Sequence, residues 1–259
     1  MTDFQEFKQL HEQNNLLHIG NVWDVNSALL FEKLGYKAIG TSSAAIAESL
    51  GYEDGEVMSF DELLYVVELI KEKTSLLLTV DLEAGYSRDP HDILKNIISF
   101  NRLGVAGINL EDSVVEGGSR KIVDAEKFGA TIKFIKNSLS KKGINIFFNI
   151  RTDSFLMGLD DPLSEAITRA MIYQRSGADG IFVPCVTDEN DIKKIVDSVS
   201  IPVNVMAMPD LPVFSTLQNL GVKRVSMGPF FYKKMNVFFN HRIELIKETQ
   251  SFNCIFSKQ

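Results

Sequence analysis

The feature that most restricts this chain is an alternation. Eight times, a short apolar run of β character is followed by a longer stretch of helical periodicity. The β-type runs fall at 16–23, 36–43, 76–83, 105–112, 144–153, 178–186, 201–208 and 222–229. Some are apolar without a break, such as Leu76-Leu77-Leu78. A strand buried on both faces needs that pattern, because both of its side-chain rows meet a packed layer rather than water. The intervening stretches read as amphipathic helices: in 89–104, Ile93, Ile97, Phe100 and Leu103 recur on one face.

The punctuation keeps the same register. Gly35, Gly104, Gly143, Gly177 and Gly221 each follow a helical stretch and precede a strand, where a left-handed residue ends a helix. Ser59 with Glu62 predicts a capping box. Asp89-Pro90 and Asp161-Pro162 set an N-cap before a proline at the first helical position. Eight strand–helix units joined by right-handed crossovers predict a closed (β/α)8 barrel, a TIM barrel of α/β class. An open doubly wound sheet is the alternative. The 259 residues match one such barrel, and no linker or composition shift divides them. The expectation is one domain over 1–259, its helical segment from 230 onward available for contacts between copies.

Composition removes several classes of function. At 45% hydrophobic and 24% charged, the chain can bury a packed core. A net charge of −7 without a Lys/Arg cluster argues against a nucleic-acid partner. No apolar run is long enough to span a bilayer, and no secretory signal is legible, so no membrane role and a cytoplasmic location are expected. Cys185 and Cys254 make no disulfide framework, and the former reads as a packing residue. The four histidines stand at no zinc-binding spacing.

In a barrel the active site lies at the C-terminal ends of the strands. The polar residues concentrate there: Trp23-Asp24, Thr41-Ser42-Ser43, Asp81-Leu82-Glu83, Asn109-Leu110-Glu111-Asp112 and Arg151-Thr152-Asp153, with Asp54 beyond the second strand. Asp81 and Glu83 are two apart, so strand alternation puts both on one face. With Glu111 on the next strand they form an oxygen-only set suited to a hard cation, Mg²⁺ or Mn²⁺. The competing reading makes these acids helix caps or ion-pair partners of Arg88, Arg102 or Arg120. Arg151 ends a mainly apolar strand, and a buried arginine needs an anion. That anion is either a substrate carboxylate or enolate oxygen, or an internal Glu111 or Asp153. Ser42 and Ser43 sit in a small-residue turn that either presents backbone N–H groups to an anion or simply packs closely. Gly117-Gly118 reads as a flexible loop without the lysine of a phosphate cradle.

At these residues the chain resembles the isocitrate lyase/phosphoenolpyruvate mutase superfamily. The matching stretches are Asn21-Val22-Trp23-Asp24, Gly40-Thr41-Ser42-Ser43-Ala44, Leu50-Gly51-Tyr52-Glu53-Asp54-Gly55, Asp81-Leu82-Glu83-Ala84-Gly85-Tyr86, Gly107-Ile108-Asn109-Leu110-Glu111-Asp112 and Asn149-Ile150-Arg151-Thr152-Asp153. The resemblance implies a Mg²⁺- or Mn²⁺-dependent barrel enzyme acting on small 2-oxo or 2-hydroxy acids through an enolpyruvate-like intermediate. It implies that Ser42, Ser43 and Ala44 hold the acid's carboxylate and that Trp23 borders the substrate. It implies further that Asp81 ligates the metal, with Glu83 and Glu111 on its waters. Asp54 would lie near the metal, Arg151 would stabilise the oxyanion, and a dimer or tetramer would form with the apolar stretch 230–239 as the exchanged element. The Lys-Lys-Cys-Gly-His loop of the superfamily's isocitrate-type lyases is missing: the corresponding stretch, 114–121, has neither cysteine nor histidine. The chain therefore looks like the short phosphonomutase-like branch. The expected function is a carbon–carbon lyase or decarboxylase of an oxaloacetate-like acid. The alternatives are a P–C bond enzyme handling phosphonopyruvate and a non-catalytic 2-oxo-acid binder.

Overall fold

The computed structural model describes residues 1–256. Eight parallel strands close into a barrel in the order β1-β10-β9-β8-β7-β4-β3-β2. They are β1 (Leu17–Val22), β2 (Ala38–Thr41), β3 (Leu77–Asp81), β4 (Gly107–Glu111), β7 (Phe147–Arg151), β8 (Gly180–Val183), β9 (Val203–Met206) and β10 (Arg224–Ser226). Each lies within one of the eight apolar runs and is shorter than it, because the flanks of each run leave the ladder. The alternative of an open sheet is excluded by the pairing of β1 with β10, Leu17 opposite Arg224.

The helices are α1 (Asp3–Glu12), α2 (Val25–Lys33), α3 (Ser43–Ser49), α4 (Phe60–Lys73), α5 (Pro90–Arg102), α6 (Ala125–Lys141), α7 (Pro162–Ser176), α8 (Glu189–Ser198), α9 (Phe214–Leu220), α10 (Phe230–Thr249) and α11 (Asn253–Phe256). Their starts follow the capping chemistry: Ser59 and Glu62 exchange both bonds of a capping box, and Asp89 and Asp161 cap helices that begin at proline. Gly177 and Gly221 are the left-handed caps of α7 and α9.

The larger apolar core lies between strands and helices, with Ile97, Phe100, Ile132 and Ile135 fully buried against the barrel wall. A smaller cluster, Phe7, Leu17, Ile19, Ala38, Leu77, Ala106 and Phe147, fills the barrel's lower end under α1. Phe7 packs edge-on to Phe147 at 5.5 Å, and His11 stacks on Phe147 at 4.3 Å. Gly107 makes room for this plug, since a Cβ there would stand 2.8 Å from the Phe7 ring.

One excursion interrupts the repeat. Strands β5 (Ser113–Glu116) and β6 (Ser119–Ile122) form an antiparallel hairpin after β4, with Glu116 opposite Ser119. The stretch read as a flexible loop is therefore ordered. Gly117 and Gly118 have φ of 58° and 76°, and two consecutive positive-φ residues make the tight turn that matches the twist of a hairpin.

Candidate active site at the barrel mouth

Three neighbouring strands deliver the acids. The chain leaves β3 at Asp81, and Glu83 takes a left-handed φ of 53°. The alternation that put Asp81 and Glu83 on one face therefore stops before Glu83. A non-glycine residue there stores strain, held here because the Glu83 carbonyl accepts the Glu111 N–H at 2.9 Å. Asp81 is oriented from three directions. Ser43 Oγ donates to its Oδ2 at 2.8 Å, Asn109 Nδ2 approaches its Oδ1 at 3.5 Å, and its own N–H donates to Thr41 Oγ1 at 2.8 Å. Among the described residues no lysine or arginine forms an ion pair with it.

The acids of β4 and β7 are paired instead. Arg151 Nη1 lies 2.9 Å from Glu111 Oε2, and its Nε donates to Asp153 Oδ1 at 2.6 Å. Arg120, carried in by β6, contacts Glu111 directly, reaches Asp153 at 3.3 Å and lies 3.7 Å from Asp54 and 4.0 Å from Glu83. The internal-ion-pair reading of Arg151 thus describes its protein contacts, and of the arginines offered as partners Arg120 is the one that enters the cluster; Arg88 pairs with Glu56. Asp112 belongs to a separate knot: it accepts from Tyr173 Oη at 2.7 Å and Arg169 Nη1 at 3.1 Å, tying β4 to α7.

Burial pushes Glu111 up to about 7, against the pull of Arg151. Glu83 is driven well above the ordinary carboxylate range by burial and by the charges of Glu111, Asp54 and Asp81. Burial opposes the charge of Arg151, but Glu111 and Asp153 outweigh it and hold the guanidinium protonated.

Above this cluster opens a cavity of about 490 Å³. Of the residues named from the sequence, Ser42, Ser43, Ala44, Asp54, Asp81 and Arg151 line it. Glu83 and Glu111 do not: each is 3% exposed and lies behind the lining. Trp23 is a correction. It lies past the end of β1, packs edge-on to Tyr232 at 5.2 Å and borders a separate outer groove with Leu50 and Tyr65. Its substrate-bordering role has no support in this geometry. Cys185, read as a packing residue, is also a lining residue, its thiol kept protonated mainly by burial. Asn109 and Lys233 line the cavity as well and were missed as site residues, and Arg120, expected only as an ion-pair partner of the acids, lines it too. For Asn109 a signal existed, its place two residues before Glu111 on an inward-facing row. For Lys233 there was none, since the helix after the last strand brings it in.

Among the described residues no three acidic, histidine or cysteine side chains stand together as a ready ligand set. The donor chemistry still fits a hard cation in a sparse mode. Five acids (Asp54, Asp81, Glu83, Glu111 and Asp153) face three bases (Arg120, Arg151 and Lys233) at this mouth. Mg²⁺ is commonly held by one or two carboxylates plus water, and Asp81, with no basic ion-pair partner among the described residues, has a carboxylate that could serve in that way.

Residues 7–247 match the family described as phosphoenolpyruvate phosphomutase. An uncharacterised protein of Mycobacterium tuberculosis is 33% identical over 226 residues, covering 87% of this chain and 83% of that one. The 2-methylisocitrate lyase of Escherichia coli is 28% identical, covering 92% and 82%. An oxaloacetate decarboxylase of Pseudomonas entomophila is 26% identical, covering 87% and 78%. Among solved structures, a Burkholderia cenocepacia protein designated a phosphonomutase superposes with a TM-score of 0.87 at 33% identity, covering 93% and 99%.

Proposed function

Because this chain belongs to the phosphoenolpyruvate phosphomutase family, we propose that it is a Mg²⁺- or Mn²⁺-dependent lyase that cleaves a carbon–carbon bond in a small 2-oxo or 2-hydroxy acid, an oxaloacetate-like acid first. One observation carries the reading: Asp81, oriented by Ser43 and Asn109 and free of basic partners among the described residues, shares a cavity with the guanidinium of Arg151. An anion and a cation can meet there.

Asp81 would hold the metal directly, with Glu83 and Glu111 behind it on bound water and Asp54 at the rim. The metal, when bound, would withdraw electron density from the 2-oxo group and its neighbouring carboxylate. Ser42, Ser43 and Ala44 would fix that carboxylate, and Arg151 would stabilise negative charge developing on the 2-oxygen. In decarboxylation the bond from C3 to the departing carboxylate breaks, its electron pair enters the enolate, and C3 takes a proton from water. No protein acid is needed to expel CO2, which agrees with a hairpin that carries neither cysteine nor histidine at 114–121. Arg120 would leave or share its carboxylates when a cation enters.

A second reading, cleavage or transfer at a P–C bond, is favoured by the family description and by the Burkholderia structure. Incubating the metal-loaded protein with a panel of 2-oxo and 2-hydroxy acids separates the two. Pyruvate and CO2 from oxaloacetate, seen by ¹³C NMR, are expected; a new ³¹P resonance from phosphonopyruvate would replace the first reading with the second. Binding across the panel without turnover would make the chain a non-catalytic acid binder. Asp81→Ala should abolish metal-dependent binding and leave the circular dichroism spectrum unchanged; full binding by that variant removes the assignment.

A further inference from the structure

Beneath the cavity lies a buried charge that this chemistry does not use. Arg224, the first residue of β10, is 1% exposed and points into the barrel. Its Nη2 donates to Asn109 Oδ1 at 3.3 Å, and its guanidinium carbon lies 5.9 Å from the centre of the Phe7 ring. Arg120, Arg151 and Arg169 each touch a carboxylate. For Arg224, no acid among the described residues lies within ion-pair distance. Burial pushes its guanidinium down to about 9, so it remains a cation at neutral pH. The acid whose charge acts on it is Asp81.

A buried cation without an ion-pair partner opposes folding, and its field, met by no carboxylate at contact distance among the described residues, extends through a low-dielectric interior. Here it extends toward the cavity floor. Asn109 lines that floor, and its Oδ1 accepts both from Arg224 and from Asn149 Nδ2 at 2.9 Å. The amide's oxygen is therefore turned down and its NH2 group up, toward Asp81 Oδ1.

We propose that Arg224 is a positioning residue for anionic substrate: a fixed positive charge under Asn109 that offsets the acids above it, favouring entry of an acid anion and weakening the hold on a cation. This rests on the reading of the cavity as a site for a small acid and a divalent metal. The two ligands respond to the charge with opposite sign, which a purely structural role does not produce.

Calorimetry on the full chain tests it, with Mg²⁺ alone as one probe and oxalate at saturating Mg²⁺ as the other. Arg224→Met should weaken oxalate about tenfold and tighten Mg²⁺, the order expected of one charge removed from a low-dielectric site. Its melting temperature should hold or rise. Arg224→Lys should restore both affinities in part. Asn204→Asp covers a misfolded Met variant: Asn204 is the register neighbour of Arg224 and does not line the cavity, so a carboxylate there neutralises Arg224 in place and should shift both affinities the same way as the Met substitution. If wild type binds both probes while Arg224→Met and Asn204→Asp leave them unchanged, or weaken both together, the role of Arg224 is overturned and the site reading stands. If wild type binds neither probe, the site reading falls and takes this inference with it.

Discussion

Arg151 performs two tasks that one substitution does not separate. It pairs with Glu111 and Asp153 and also lines the cavity. Arg151→Ala should abolish turnover and also destabilise the fold by about 3–5 kcal/mol, as removing one partner of a buried ion pair does. Arg151→Lys keeps the charge and loses the fork, so turnover should fall about a hundredfold with a smaller loss of stability; undiminished turnover in the Lys variant would separate Arg151 from the chemistry. Both of its suspected internal partners were legible from the sequence, two residues on and on the adjacent strand. That it pairs with both and still faces the cavity was not, because side-chain direction at a strand end depends on the closed barrel. His11 gives a cleaner prediction. It is 2% exposed, its Nδ1 bonds to the Phe7 carbonyl at 2.8 Å, and burial followed by Arg224 pushes it down to about 3. The unfolded chain takes up the proton first, so this contribution to stability is complete above the unfolded value of 6.5 and is lost as pH falls from 6.5 toward 3. Urea midpoints should decline over that window, and His11→Phe, which keeps the stacking on Phe147, should flatten the decline.

The hairpin β5–β6 is the element the sequence reading missed. Its strands are short and half exposed, so neither length nor alternation separated them from loop; the Gly-Gly turn was the one available signal. The hairpin carries Arg120 to the acids, and its turn needs φ of 58° and 76°. Replacing Gly117 and Gly118 by alanine should cost about 1–2 kcal/mol per residue locally, the penalty for a left-handed side-chain-bearing residue. Hydrogen exchange of the hairpin amides should speed up while exchange in β7 stays slow. Asn-Gly at the same two positions should leave exchange unchanged, since that pair adopts the same turn. The barrel strands behaved differently: each was legible because it is covered on two faces, and two-sided burial leaves a run of apolar residues that needs no tertiary information to read.

At the scale of the molecule, α10 is a 20-residue helix with one buried residue, Tyr232. Phe231, Val237 and Phe239 are 60%, 61% and 63% exposed on it. An apolar surface of that kind marks an interface, and the expectation of a dimer or tetramer is kept here as a proposal. Sedimentation should show a species larger than 29.0 kDa, and Phe231→Glu with Phe239→Glu should return it to the monomer; a monomeric wild type would refute it. The eight strand positions and the helix starts between them were determined by the sequence alone, because periodicity, caps and left-handed glycines are local properties that each stretch of chain carries with it; closure into a barrel rather than an open sheet came from the pairing of β1 with β10. Which acids are free and which are neutralised was decided only by the tertiary structure. Among the described residues Asp81 and Arg224 have no ion-pair partner while Glu111 has two, Arg151 and Arg120, the second arriving from a hairpin. Charge pairing depends on distances across the barrel, and those exist only once the strands have closed.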